Sequence, residues 1–149
     1  MKIEISGEIN RPVEEVFAYS TDPAKTPEWK SSVLESRAEP PGPIRVGSKI
    51  HTVARIFGRR IESITEVTEL VPNKKLVQKT NSPFPFEMTY LAEPTATGTK
   101  VAVEAVAKPG GFFKLAEPVL GRLAKKQGQA ELDTMKAMLE AREPVRIAN

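Results

Sequence analysis

The sequence predicts an α+β domain in which a curved antiparallel sheet of about six or seven strands wraps around one long C-terminal helix. Three observations predict it. Short segments with apolar residues at every second position recur from residue 2 to residue 107. The breaks between the later ones are tight-turn chemistry, which joins antiparallel neighbours. From about residue 112 to 141 the spacing becomes helical.

Taken in order, residues 2–9 alternate, with Ile3, Ile5 and Ile9 on one face and Glu4, Ser6 and Glu8 on the other. That is a half-buried strand. Arg11-Pro12 ends it, and Pro12 followed by Glu14 and Glu15 starts a short helix. Val13, Val16 and Phe17 fall at i, i+3 and i+4 and form its apolar face. Asp22-Pro23 opens a second short helix, which Pro27 limits to about one turn. Residues 33–38 are a weaker strand candidate, and Glu39-Pro40-Pro41-Gly42-Pro43 is a loop.

Strand patterns then cover 48–57, 60–70, 75–81, 84–92 and 99–107. They are separated by Gly58-Arg59, Pro72-Asn73-Lys74, Ser82-Pro83 and the stretch from Pro94 to Gly98. After Pro109-Gly110-Gly111 the helical stripe carries Phe113, Leu120, Leu132, Met135 and Leu139, with Val119 and Leu123 beside it. Pro118 predicts a kink or a fresh helix start, and Glu143-Pro144 ends the helix.

The chain has 149 residues, enough for one domain, read as residues 1–142 with 143–149 as a flexible tail. A domain of this size buries about 70% of the surface its unfolded chain exposes. It contains no cysteine, which excludes disulfides and thiolate chemistry. The opening MKIEISGEIN holds no apolar leader, and no run reaches the ~20 apolar residues that span a bilayer. The cytoplasm is the expected location. Net charge is +3, from 22 basic and 19 acidic side chains, and the basic pairs at 59–60, 74–75 and 125–126 are scattered. A specific nucleic-acid surface concentrates such charge on one face, so none is expected.

Several pieces in this order and spacing resemble the START-like (SRPBCC) superfamily with the helix-grip fold, and within it the polyketide cyclase/dehydrase-like group. They include Arg11-Pro12-Val13-Glu14-Glu15-Val16-Phe17, Asp22-Pro23 followed by Trp29, and Val46-Gly47-Ser48. Val67 with the Pro72-Asn73 turn and Leu76, the Gly98-Thr99 hairpin, and Leu132 through Met135-Lys136 to Leu139-Glu140 complete the set. The resemblance covers nearly the whole chain. It implies a deep pocket between sheet and helix in a family whose members bind lipids, polyketides, sterols and hormones, with a few aromatases and cyclases among them.

Phe84, Phe86, Met88 and Tyr90 alternate on one strand face. Core packing accounts for such a stripe, and on this fold the same face lines the pocket. Val103 and Ala105 on the next strand are smaller and leave space opposite it. With Phe17 and Trp29 at one end, Thr52 on an inward-facing strand position and Met135 on the helix, these ten residues are the expected ligand-binding set. Trp29, the only tryptophan, reads first as a packing anchor and second as a gate. Gln127, Glu131 and Thr134 border the helical stripe and could orient a ligand.

Chemistry finds little support. His51, the only histidine, alternates out of step with Ile50, Thr52, Ala54 and Ile56, so it faces solvent, with no carboxylate or serine in a motif around it. No catalytic residue is assigned. No metal or cofactor is expected, since neither ligand spacing nor a phosphate loop is present. The leading expectation is therefore a binding protein, monomeric or homodimeric, for a small hydrophobic or amphipathic molecule. An aromatase/cyclase or dehydratase stands second, with Tyr90, Thr52, Thr65, Gln78 and Thr80 as its polar candidates. A protein-interaction module stands third.

Overall fold

The computed structural model describes residues 1–56, 58–82, 84–108 and 117–142. The elements are β1 (Lys2–Ile9), α1 (Val13–Ser20), a 3-10 turn (Pro23–Lys25), α2 (Thr26–Trp29), β2 (Val33–Glu39), β3 (Lys49–Ile56), β4 (Arg59–Val71), β5 (Lys75–Thr80), β6 (Phe86–Pro94), β7 (Thr99–Ala107) and α3 (Glu117–Glu140). Every strand expected from the alternation is present, and the bounds move by at most two residues. The largest shift is at β6. Pro85 has no N–H to give to a ladder, so the strand starts at Phe86 and Phe84 sits in a bend outside it. Phe113 and the tail from residue 143 lie outside the described residues.

The seven strands form one sheet in the order β1-β7-β6-β5-β4-β3-β2, all neighbours antiparallel. β1 and β2, consecutive along the chain, therefore occupy opposite edges. The segment between them has to cross six interstrand spacings of about 4.8 Å each. α1, the 3-10 turn and α2 make that crossing at one end of the sheet. Asp22 caps the turn by accepting from Ala24 N at 3.0 Å, as the Asp-Pro pair predicts. Irregular register at Val33/Glu35 and at Val67/Glu69 marks two bulges, which bend the strands that carry them.

α3 runs alongside β1 in the same direction. A Cβ on Gly121 would lie 3.4 Å from Met1 Sδ, one on Gly128 3.2 Å from Ile5 Cδ1, and one on Gly7 3.3 Å from Leu132 Cδ2. At the far end the Glu140 carboxylate accepts from Asn10 N at 2.9 Å. A helix rises about 1.5 Å per residue and a strand about 3.3 Å. About two helix residues therefore keep pace with each strand residue, and the contacts stay in step from residues 1 and 121 to residues 10 and 140. Arg11 fastens the end by donating to Glu140 O at 3.0 Å and to Arg142 O. A guanidinium there also meets the negative pole of the helix dipole. The β6–β7 turn closes against the same corner. At Gly98 any side chain would run into the Ile9 carbonyl, at 2.1 Å from a Cβ.

The core lies where β1, α1, α2 and the last turns of α3 converge. Ile9, Val16, Phe17, Tyr19, Ile50, Val67, Leu76, Tyr90, Ala92, Val101, Leu132, Met135 and Leu139 form one buried cluster. The stripe on α3 holds for Leu132, Met135 and Leu139, whereas Val119 and Leu123 in its first turns are exposed. Pro118 is the second described residue of α3, and the choice between a kink and a fresh start rests on residues before Glu117, which lie outside the described residues.

Candidate functional site

The strand registers define an inner sheet face. Across it, Ile5 lies opposite Val103, Val103 opposite Tyr90, and Tyr90 opposite Leu76. One rung further from α1, Ile3, Ala105, Met88 and Gln78 follow in the same way. Burial along this face is graded. Val101, Ala92, Tyr90, Leu76 and Val67 are buried, while Ile3, Ile5, Val103, Ala105, Met88 and Phe86 are only half-buried. On β4 and β3 the half-buried band continues through Thr65, Ser63 and Thr52.

The ten sequence-predicted residues divide along this gradient. Phe17, Tyr90 and Met135 belong to the closed core. Thr52, Phe86, Met88, Val103 and Ala105 lie on the half-buried band, so the stripe on β6 is a gradient rather than the uniformly buried face its apolarity suggests. Phe84 is off the strand. Trp29 ends α2, half-buried against the core, with the Lys30 ammonium 5.9 Å from its ring. Two hollows flank the band. One, of about 770 Å³, lies between Met1–Glu4 and α3 residues Pro118, Gly121, Arg122 and Lys125. The other, of about 560 Å³, involves β2, β3 and β4, and Thr52, Ser63 and Thr80 reach it from the band.

Polar groups on the band are largely spent on one another. Thr65 Oγ1 donates to Gln78 Oε1 at 2.9 Å, and Thr80 Oγ1 to Ser82 O at 3.2 Å. Off the band, the Trp29 Nε1–H has no hydrogen-bond partner, and the buried Tyr90 hydroxyl has only the Ser20 hydroxyl beside it. An orphaned donor costs about 1–3 kcal/mol in a folded protein. Burial pushes the Tyr90 phenol up to about 12, and a hydrogen bond with the Ser20 hydroxyl acts the other way. Ser20 Oγ itself donates to Val16 O at 2.7 Å.

Of the three polar residues bordering the helical stripe, Gln127 and Thr134 are exposed, and Glu131 is buried. Its Oε2 accepts from Ser32 Oγ at 3.1 Å and more weakly from Ser32 N at 3.5 Å. Glu131, Met135 and Leu139 repeat at four-residue spacing, so the buried carboxylate is written into the helix period. Tyr19 was not anticipated. It extends the α1 face by one turn from Val16 and meets Glu28 at 3.3 Å and the Arg142 guanidinium at 4.5 Å. Burial, then Glu28, hold its phenol above its ordinary value.

His51 lies on the outer face as expected, but it does have a carboxylate partner. Glu39 Oε2 lies 2.5 Å from its Nε2, and Arg37 approaches its Nδ1 at 3.4 Å. The β2–β3 register brings these three together from positions far apart in sequence, so no local motif could show it. The cluster sits on the solvent side and shares no face with Tyr90 or Glu131. Among the described residues no group of three or more His, Cys, Asp or Glu side chains could hold a metal ion. No helix among them is long and apolar enough to cross a membrane.

A seven-stranded antiparallel sheet with short helices closing one end and a long C-terminal helix packed against it is the helix-grip architecture. Residues 1–140 match the profile of the family described as polyketide cyclase / dehydrase and lipid transport, and the chain belongs to that family. Solved structures share the fold. A protein from Thermus thermophilus superposes with a TM-score of 0.79 at 16% identity, over 95% of this chain and 98% of that one. A protein of unknown function from Staphylococcus aureus gives 0.76 at 14%, over 94% and 93%. A START superfamily protein from Mycobacterium smegmatis gives 0.74 at 16%, over 93% and 97%. No curated protein matches the chain.

Proposed function

We propose that this chain binds a small, largely apolar molecule on the inner sheet face, between the half-buried band and α3. The observation that carries the reading is the burial gradient. Phe86, Met88, Val103 and Ala105 are apolar, point to the same side as the core, and keep part of their surface in contact with solvent. An apolar guest that buries about 300 Å² there gains about 7–8 kcal/mol, which bounds its affinity near the micromolar range. The family description, which names lipid transport, agrees with a hydrophobic cargo.

The same description names cyclase and dehydrase activity, and the buried Glu131 carboxylate is the group an acid–base step would call on. Its hydrogen bonds from Ser32 support a positioning role first. Native mass spectrometry of freshly purified protein tests the binding reading, with a retained small molecule expected. Titration of an environment-sensitive dye is the second test, with Kd in the micromolar range and quenching of Trp29. No retained molecule together with no dye binding would remove the reading.

A further inference from the structure

The N-terminal half of α3 turns an unusual face to water. Val119 is 60% exposed and Leu123 46%, one helical turn apart. Arg122, Lys125 and Lys126 are exposed around them. Val119, Leu123 and Lys126 stand at i, i+4 and i+7 and share one stripe, with Arg122 one turn before Lys126. Single exposed apolar side chains are ordinary on a protein surface. The charge around this pair is not. From Pro118 to Ala130 the chain has three cations and no acid, so this stretch accounts for the whole net charge of +3. The basic pairs elsewhere are tied down, Arg60 to Glu62 at 3.7 Å and Lys75 to Glu69 at 3.3 Å. Arg122, Lys125 and Lys126 form no ion pair among the described residues. Helix stability does not account for them either, because a helix dipole favours cations in the last turn, and α3 has none there.

Unpaired cations around exposed apolar side chains fit a partner that is anionic at its surface and apolar just beneath, which is a bilayer containing acidic lipids. We propose that the N-terminal half of α3 docks this protein on an anionic bilayer surface, with Val119 and Leu123 entering the interface and Arg122, Lys125 and Lys126 meeting headgroup phosphates. The long stems of these cations lie along the apolar boundary while their heads stay among the phosphates. The contact is peripheral, as no helix among the described residues is long and apolar enough to cross a membrane. Asp133, exposed further along α3, marks where the docking face ends. A nucleic acid or another soluble polyanion would use the cations and leave Val119 and Leu123 in water, so the bilayer fits the patch better. The docking does not require the guest proposed above.

Co-sedimentation with vesicles tests this, using phosphatidylcholine alone and an equal mixture of phosphatidylcholine and phosphatidylglycerol. At low salt, wild type should partition onto the mixed vesicles about a hundredfold more strongly than onto phosphatidylcholine, since each cation near an anionic surface contributes about fivefold. High salt should weaken the binding by screening. Arg122→Gln, Lys125→Gln and Lys126→Gln combined should abolish the preference for acidic lipid and leave the melting temperature unchanged, because no ion pair is lost. Val119→Ser with Leu123→Ser should weaken binding to the mixed vesicles about tenfold or more, and it serves as the second variant if the first fails to fold. Lys74→Gln with Lys75→Gln should bind as wild type does. No partitioning of wild type onto the mixed vesicles overturns the proposal, and so does equal partitioning onto both compositions. Wild-type binding by the triple variant, or an equal loss in the Lys74/Lys75 variant, overturns the assignment to α3. Undiminished binding by the Val119/Leu123 variant overturns the bilayer in favour of a soluble polyanion, which binding to heparin would identify.

Discussion

Val101, Ala92, Val67 and Leu139 lose nearly all contact with water where α1, α2 and the last turns of α3 converge. One or two rungs along the same strands, Val103, Ala105 and Met88 keep part of theirs. The residue types are alike, so composition does not explain the difference. What differs is the covering. The last turns of α3 bring Leu132, Met135 and Leu139 into the cluster, whereas in its first turns Val119 and Leu123 face solvent. α3 also packs along β1 through Met1, Ile5 and Gly7, while its Leu132, Met135 and Leu139 share a cluster with Ile50, Val67, Leu76 and Tyr90. One end of a single sheet face is thus closed, and the other, where the proposed guest would sit, stays half-buried.

The sharpest test of this contrast is truncation at each end. Met135→Ala or Leu139→Ala should lower stability by about 2–5 kcal/mol in urea melts, because each leaves a cavity in a packed core. Met88→Ala on the half-buried band should cost clearly less, since part of its surface already lies in water. Equal costs at the two ends would abolish the distinction.

A second test uses alkali. The folded-state value of Tyr90 is raised to about 12, above an unfolded value of about 10. Between these values the folded state binds more protons than the unfolded one, so stability falls as pH rises. The Tyr90 contribution is intact below pH 10 and declines by about 2–3 kcal/mol on approaching pH 12. Other groups also respond to alkali, so the measurement is the difference between wild type and Tyr90→Phe. The variant should lack this part of the slope. Parallel curves would mean that the phenol is not enclosed.

Ala105→Phe sharpens the comparison from the open side. The larger ring should occupy the space on the band and weaken dye binding at least tenfold, about 1.4 kcal/mol, while the melting temperature stays within a few degrees. Undiminished binding would put the guest elsewhere. The smallest effect is expected on the outer face. The His51–Glu39 pair is partly exposed, so His51→Ala should change stability by less than about 0.5 kcal/mol and leave dye binding unaltered.

Much of this molecule was legible from one chain of letters. The alternation of Ile3, Ile5 and Ile9, the Asp22-Pro23 cap, the Pro72-Asn73 turn with Asn73 at φ 61° and the helical stripe of Leu132, Met135 and Leu139 all become the elements they predict. The site was legible in part. Face membership of Phe86, Met88, Tyr90, Val103 and Ala105 follows from alternation once the strands exist, but their degree of burial does not. Phe84 was misplaced because the proline after it outweighs the apolar pattern around it.

Sequence by itself determined what is local: period, caps, turns and the apolar face of each element. These depend on residues within a few positions of one another, and the backbone geometry that reads them is the same everywhere. Tertiary structure decided what is not local. It placed β1 and β2 at opposite edges of the sheet, joined Glu39 to His51 across the β2–β3 register, and laid α3 along β1. It also enclosed the Trp29 indole N–H without a partner and set the Tyr90 hydroxyl beside Ser20. Each of these outcomes depends on which distant segments pack together, and the free energy that chooses among such packings belongs to the whole core, not to any stretch of chain.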